Sequence, residues 1–200
     1  MDPDNIWEQM AGRYETVERV NDTKVIVQMI RSKLNDTTEK TALDYGCGTG
    51  LIGLGLIDLF ASMLFVDSSP KMLEQVKQKL EYNEIGSAGT LCLDFLNGIP
   101  PTLEVDYIIM AQVLLHIPNT RLILSRVYEV LKPGGHLIIV DFDKNEAISS
   151  DKVHNGFVQA ELIDLVKQIG FRWAEAETFY QREAMFMNKA ASLFILNILK

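Results

Sequence analysis

No run of lysines or arginines occurs anywhere in this chain, whose formal net charge is −8. Nucleic-acid binding draws on a concentrated basic face to neutralise phosphates, so that class of partner is not expected. Long apolar stretches are missing too. The most hydrophobic window, Leu51 to Val66, is interrupted by Gly53, Gly55 and Asp58, and reads as a buried helix and strand, not a membrane span. The first ten residues carry Asp2, Asp4 and Glu8 and no basic residue. They lack the basic and apolar regions of a secretory leader, and a cytoplasmic location is expected. Only two cysteines occur, Cys47 and Cys92. Both sit in apolar, strand-like surroundings and read as buried thiols in a reducing compartment. The three histidines, His116, His136 and His154, have no Cys or carboxylate neighbours at metal-ligand spacing, so no protein metal site is expected.

What is present is an ordinary globular composition: 200 residues, 48% hydrophobic and 23% charged. That length suits a single domain, 1–200, with a sizeable core. Trp7, Met10, Ala11 and Tyr14 have helical spacing, and a second helix is expected after Asp22 or Thr23, with Val27, Ile30 and Leu34 on its inner face. Residues 1–38 thus form a pair of leading helices. Strands are expected over Thr41–Tyr45, Ser62–Val66, Thr90–Leu93, Asp106–Ala111 and His136–Val140. A helix is expected at about residues 51–60. Ser69 caps another with Pro70 in its first turn and Leu73, Val76 and Leu80 inward. A further helix opens at Asn119 or Thr120 and stops at Pro133-Gly134-Gly135, and Gln159–Ile169 is closed by Gly170. The tail, 171–186 and 191–199, reads as an antiparallel pair. Alternating strands and helices, with apolar runs lacking period-two alternation, predict a doubly wound α/β fold. The expectation is a mostly parallel seven-stranded Rossmann-like sheet with helices on both faces and the antiparallel pair at its end.

In such sheets ligands bind beyond the carboxyl ends of the strands. There the chain places Gly46 after the first strand, Asp67 after the second and Asp94 after the third. The loop Asp44-Tyr45-Gly46-Cys47-Gly48-Thr49-Gly50 lets backbone approach a ligand closely. Leu51 occupies the position where a dinucleotide fingerprint requires its third glycine, and Asp44 suits an ammonium group better than a polyphosphate. Asp67 can accept both hydroxyls of a ribose. Asp94 can accept from an exocyclic amine, with Phe95 beside the base.

Five strings carry a family resemblance over about residues 7–199. "ALDYGCGTG", "LFVDSSPKML", "LDF", "VDYIIMAQVLLHIP" and "VLKPGGHLIIVDF" resemble, in order, the motifs of class I S-adenosylmethionine (SAM)-dependent methyltransferases. The resemblance implies SAM as cofactor. Asp44, Gly46 and Gly48 would hold its methionine part, Asp67 its ribose, Ser68 and Met72 would flank its adenine, and Asp94 and Phe95 would meet the adenine amine and ring. Gln112 would contact the methionine moiety. "WEQMAGRYE" resembles the family's N-terminal helix, whose tyrosine, here Tyr14, reaches the cofactor carboxylate, with residues 1–38 as a lid. No obligatory catalytic residue follows, because methyl transfer depends chiefly on alignment; His116 is the candidate general base. Asp141, Asp143 and His154 sit in or beside the loop after the fifth strand. The absence of an N-P-P-Y-type string after the fourth strand, and the short 142–156 segment, point to a small-molecule acceptor. A SAM-binding module without catalysis, and an NAD(P)-linked oxidoreductase, are the alternatives. Oligomeric state and acceptor are not legible.

Overall fold

The computed structural model describes Gly12 and residues 14–200. The expected first helix, with Trp7, Met10 and Ala11, therefore lies outside the described residues, while Tyr14 lies within them. The chain forms two compact units, one ending at Gly98 and one running from Ile99 to Lys200. Among the described residues no helix is long and apolar enough to cross a membrane.

The first unit opens with α1 (Val17–Lys33). Thr16 is its N-cap, its hydroxyl accepting the Arg19 N–H at 3.2 Å, so the helix begins before the expected Asp22 or Thr23. Glu18 in its first turn and Arg31 and Lys33 in its last complement the helix dipole, which favours this longer helix. Three parallel strands follow in the order β3-β2-β1: β1 (Thr41–Tyr45), β2 (Ser62–Asp67) and β3 (Ala88–Cys92). The expected helix at about 51–60 is only α2 (Leu51–Leu54), followed by a tight turn at Ile57–Leu59. Gly53 and Gly55 lower helix propensity there, and Gly55 ends α2. α3 (Pro70–Tyr82) matches its local signals: the Ser69 hydroxyl accepts the Met72 N–H, Pro70 opens the first turn, and Met72, Leu73, Val76 and Leu80 are buried. Cys47 is buried but Cys92 is exposed, because it ends β3 at the outer side of the unit's sheet.

The second unit pairs β4 (Val105–Ala111) in parallel with β5 (Leu131–Phe142), while β7 (Lys189–Leu199) runs antiparallel to both β5 and β6 (Trp173–Phe186). α4 (Thr120–Val130) is capped by the Asn119 side chain, and α5 (Gln159–Ile169) is closed by Gly170 with φ +125°. The expected antiparallel pair is thus present, joined through Met187 and Asn188, whose φ values of 49° and 59° make the tight reversal a hairpin prefers. β5 starts five residues before the expected His136 (136 − 131). α4 stops at Val130 because Lys132, preceding Pro133, disfavours helix, and Leu131 pairs with Val105 ahead of a register shift.

Candidate functional site

The glycine loop leaves β1 under several backbone constraints. Gly46 and Cys47 both donate to the Val66 carbonyl, at 2.7 and 3.1 Å, and Gly50 donates to the Cys47 carbonyl at 2.9 Å. Gly46, Gly48 and Gly50 all have positive φ (68°, 52° and 82°), a conformation other residues adopt only with strain. At Gly48 there is a second reason for glycine. A β-carbon there would lie 3.3 Å from the Tyr14 ring.

Asp67, at the end of β2, ties this loop to its neighbours. One carboxylate oxygen accepts the Gly48 N–H at 2.8 Å and the other the Ser69 N–H at 2.9 Å. The Asp67 carbonyl also accepts from Leu93, just beyond β3, at 3.1 Å. Asp94 accepts from the Tyr45 hydroxyl at 3.2 Å and from the Leu96 N–H at 2.9 Å. The ends of β1, β2 and β3 are therefore joined in one place, and Gly46, Gly48, Asp67 and Asp94 border it. Tyr14 belongs to the same cluster. Arg19 lies 3.8 Å from its ring centre. Burial pushes the Tyr14 hydroxyl up, with Arg19 lowering it and Asp67 and Asp44 raising it further. Lys79 of α3 donates to the Thr49 carbonyl at 2.7 Å and pairs with Glu15, which ties the segment beside Tyr14 to the loop.

The expected site residues differ in exposure. Asp67 and Asp94 are half-buried and Ser68 is exposed. Met72 and Phe95 are buried, Phe95 with its ring 4.5 Å from that of Tyr45. Asp44 is 2% exposed and turns inward, accepting the Gly53 N–H at 2.9 Å. Tyr45, which links β1 to Asp94 and also accepts the Phe95 N–H at 3.2 Å, was not among the expected residues. Nothing in its spacing distinguishes it from a core aromatic.

Burial raises the Asp44 carboxyl to about 7, with Gly53 lowering it and Asp67 raising it. A carboxyl whose folded pKa exceeds its unfolded one stabilises the fold fully below the unfolded value, and that contribution is lost as pH rises through the folded value. Asp44→Asn should remove this slope. Its unfolding free energy relative to wild type is expected to rise between pH 4 and pH 7 by up to about 1.4 kcal/mol per pH unit. Urea unfolding across that range checks it; a difference independent of pH would contradict the buried carboxyl.

In the second unit, Gln112 follows β4 with φ 55°, and its N–H donates to the Val140 carbonyl at 2.7 Å. His116 is exposed at the end of a tight turn, Leu114–His116. Asp143 accepts from Gln159, Thr178 and Ser192, at 2.6, 2.8 and 2.8 Å. The His154 ring meets the Ile117 carbonyl at 2.9 Å.

A family model described as a methyltransferase domain matches residues 36–190. The chain belongs to this methyltransferase family. Phosphoethanolamine N-methyltransferase 2 of Caenorhabditis elegans is 27% identical over 152 residues, 72% of this chain and 35% of that protein. The mitochondrial ubiquinone biosynthesis O-methyltransferase of Schizosaccharomyces pombe is 26% identical over 141 residues, 66% of this chain and 49% of that protein. The chain thus spans half or less of the length of these two curated relatives. Among solved structures, a SAM-dependent methyltransferase from Aquifex aeolicus superposes with a TM-score of 0.72 at 18% identity, covering 96% of this chain and 97% of that one. The chain has the expected fold class, a seven-stranded, mostly parallel Rossmann-like sheet with an antiparallel C-terminal pair. Membership in a methyltransferase family was also the expectation from its motifs.

Proposed function

We propose that the protein transfers the methyl group of S-adenosylmethionine to a small-molecule acceptor. The observation that carries this reading is the convergence of Gly48, Asp67, Asp94 and Tyr14 at the ends of three adjacent strands. Those residues fit the cofactor. Gly48 combines a positive φ with a tight approach to Tyr14, both of which favour glycine, so backbone is available where the methionine part would lie. The Asp67 carboxylate is half-exposed and accepts two N–H groups that fix its place, and a carboxylate at this strand end suits ribose hydroxyls.

In this reading Gly46 and Gly48 line the methionine part and Tyr14 its carboxylate. Buried Asp44 acts at one remove, by holding the loop through Gly53. Asp67 orients the ribose, Ser68 and Met72 flank the adenine, Asp94 takes its amine, and buried Phe95 backs that turn. Gln112 is assigned to the methionine moiety and His116 to the acceptor side by the motif resemblance. The bound sulfonium supplies an activated methyl. The chain supplies alignment, which reaches effective molarities of about 10⁵–10⁸ M in favourable cases. His116 can draw a proton from a hydroxyl or ammonium acceptor at its exposed position.

We take the chain to work as one domain with residues 1–38 as its lid, in the cytoplasm, without nucleic acid or membrane. The relatives named for phosphoethanolamine and for ubiquinone biosynthesis support a small acceptor. Titration calorimetry with SAM, its demethylated product and NADH is the test. Binding of the first two without NADH is expected; NADH binding alone would overturn the reading. Labelled-methyl transfer to panels of small amines, phenols and carboxylates then separates an enzyme from a non-catalytic SAM-binding module.

A further inference from the structure

β5 is apolar from Leu137 to Phe142 with one exception, Asp141, which is 0% exposed. A carboxylate at such a place is held only if hydrogen bonds replace its water. Both oxygens have them: Oδ1 accepts the Phe142 N–H at 2.8 Å, and Oδ2 accepts the Leu115 N–H at 3.1 Å. The second bond reaches from β5 to the turn that ends in His116.

That turn belongs to a segment gripped at its backbone from two sides. Val140, the neighbour of Asp141, accepts the N–H of Gln112, which is held in a left-handed conformation uncommon for glutamine. From the other side the His154 N–H donates to the Leu115 carbonyl at 2.8 Å, and the His154 ring meets the Ile117 carbonyl. His154 in turn packs on Phe157, ring centres 5.2 Å apart. Leu114 and Leu115 are buried while His116 is exposed, so the direction in which His116 projects follows from how this backbone is anchored. An apolar residue at 141 would pack as well in the strand but would leave the Leu115 N–H without this acceptor.

We propose that Asp141 is a positioning residue, whose buried carboxylate fixes segment 112–117 in the orientation that methyl transfer requires. The proposal rests on the functional reading above, in which this segment carries Gln112 and His116. Burial raises the Asp141 carboxyl to about 7, while the Phe142, Leu115 and Leu114 N–H groups lower it. These three donors thus favour the ionised form, as a strut built on carboxylate acceptors should.

Asp141→Asn, made in the full chain, tests it. The amide keeps the shape but opposes some of these N–H groups with its own NH₂. Hydrogen exchange in segment 112–117 is expected to accelerate about tenfold or more, with the chain beyond that segment and Phe142 unchanged. Turnover should fall about tenfold or more, because a misplacement near 1 Å costs roughly 10²-fold, and the KM for SAM should rise by less than turnover falls, because Gln112 is one of several residues assigned to the cofactor. Unchanged exchange or unchanged turnover overturns the proposal, as does a uniform rise in exchange across the chain, the mark of a merely structural residue.

Should the variant not fold, the wild type decides. The Leu115 and Phe142 amide-proton shifts should titrate with a common midpoint, because both donate to one carboxylate. His116, His154, Asp143 and Lys144 lie on or next to the segments joined to Asp141, and Lys132 and His136 lie on β5 itself; ring-proton shifts of the three histidines, followed in the same spectra, separate theirs. Separate midpoints, or none, overturn the strut. SAM calorimetry on the wild type is run alongside. If SAM does not bind, the functional reading fails, and the exchange comparison still decides whether Asp141 holds the segment.

Discussion

Replacing Asp67 with alanine is expected to weaken SAM binding by about 10²-fold or more while leaving a folded protein. Two hydroxyl hydrogen bonds to a charged acceptor contribute roughly 1.5–3 kcal/mol each in favourable cases, and every 1.4 kcal/mol is a tenfold change. The structure adds a second loss. The same carboxylate holds the N–H groups of Gly48 and Ser69, so alanine also frees the glycine loop and the start of α3. Asp67→Asn, which retains one acceptor oxygen, should fall between wild type and alanine. Calorimetry with SAM, beside a thermal melt of each variant, separates the two effects. Full affinity in Asp67→Ala would place the ribose elsewhere.

The largest effect on stability is expected from Gly53→Ala. A β-carbon there would stand 2.4 Å from Phe65 Cε1, 2.7 Å from Asp44 Oδ2 and 2.9 Å from Met63 Sδ. Phe65, Asp44 and Met63 are all buried, so none can swing into solvent. Overpacking of this kind costs about 1–3 kcal/mol and occasionally more, and the displaced Asp44 would also lose its bond to the Gly53 N–H. For a chain of this size the melting temperature should drop by about 5–10 °C. By contrast Gly86, which has no atom within 4 Å of a β-carbon position, should accept alanine with little change. Equal melting temperatures for the two variants would show that the contacts at Gly53 are looser than the structure has them.

Where an element's signal was local, the chain's residues announced it. Ser69 and Pro70 marked the start of α3, Leu73, Val76 and Leu80 its inner face, and Gly170 the end of α5. The start of β5 was misplaced because a distant partner decides it. β5 extends back through Pro133 and Gly135 to Leu131 because Val105 offers a partner. Of the site, Asp67 and Gly48 were legible from their place after apolar runs, and they do bond to each other. The Tyr45–Asp94 bond was not, since its two residues are 49 apart and Tyr45 has no pattern of its own.

Composition, the order of strands and helices, and the kinds of residue at each strand end are properties of the chain alone, because helix caps and hydrophobic periods act over a few neighbouring residues. Asp44, Asp67 and Asp141 look alike at that level, each an acid closing an apolar run. Folding makes them different. Asp67 stays half-exposed and accepts the Gly48 and Ser69 N–H groups, whereas Asp44 and Asp141 are buried and bonded to N–H groups 9 and 26 residues away. Which acid meets solvent and which holds a loop depends on the register and packing of neighbouring elements, and no short window of sequence contains those.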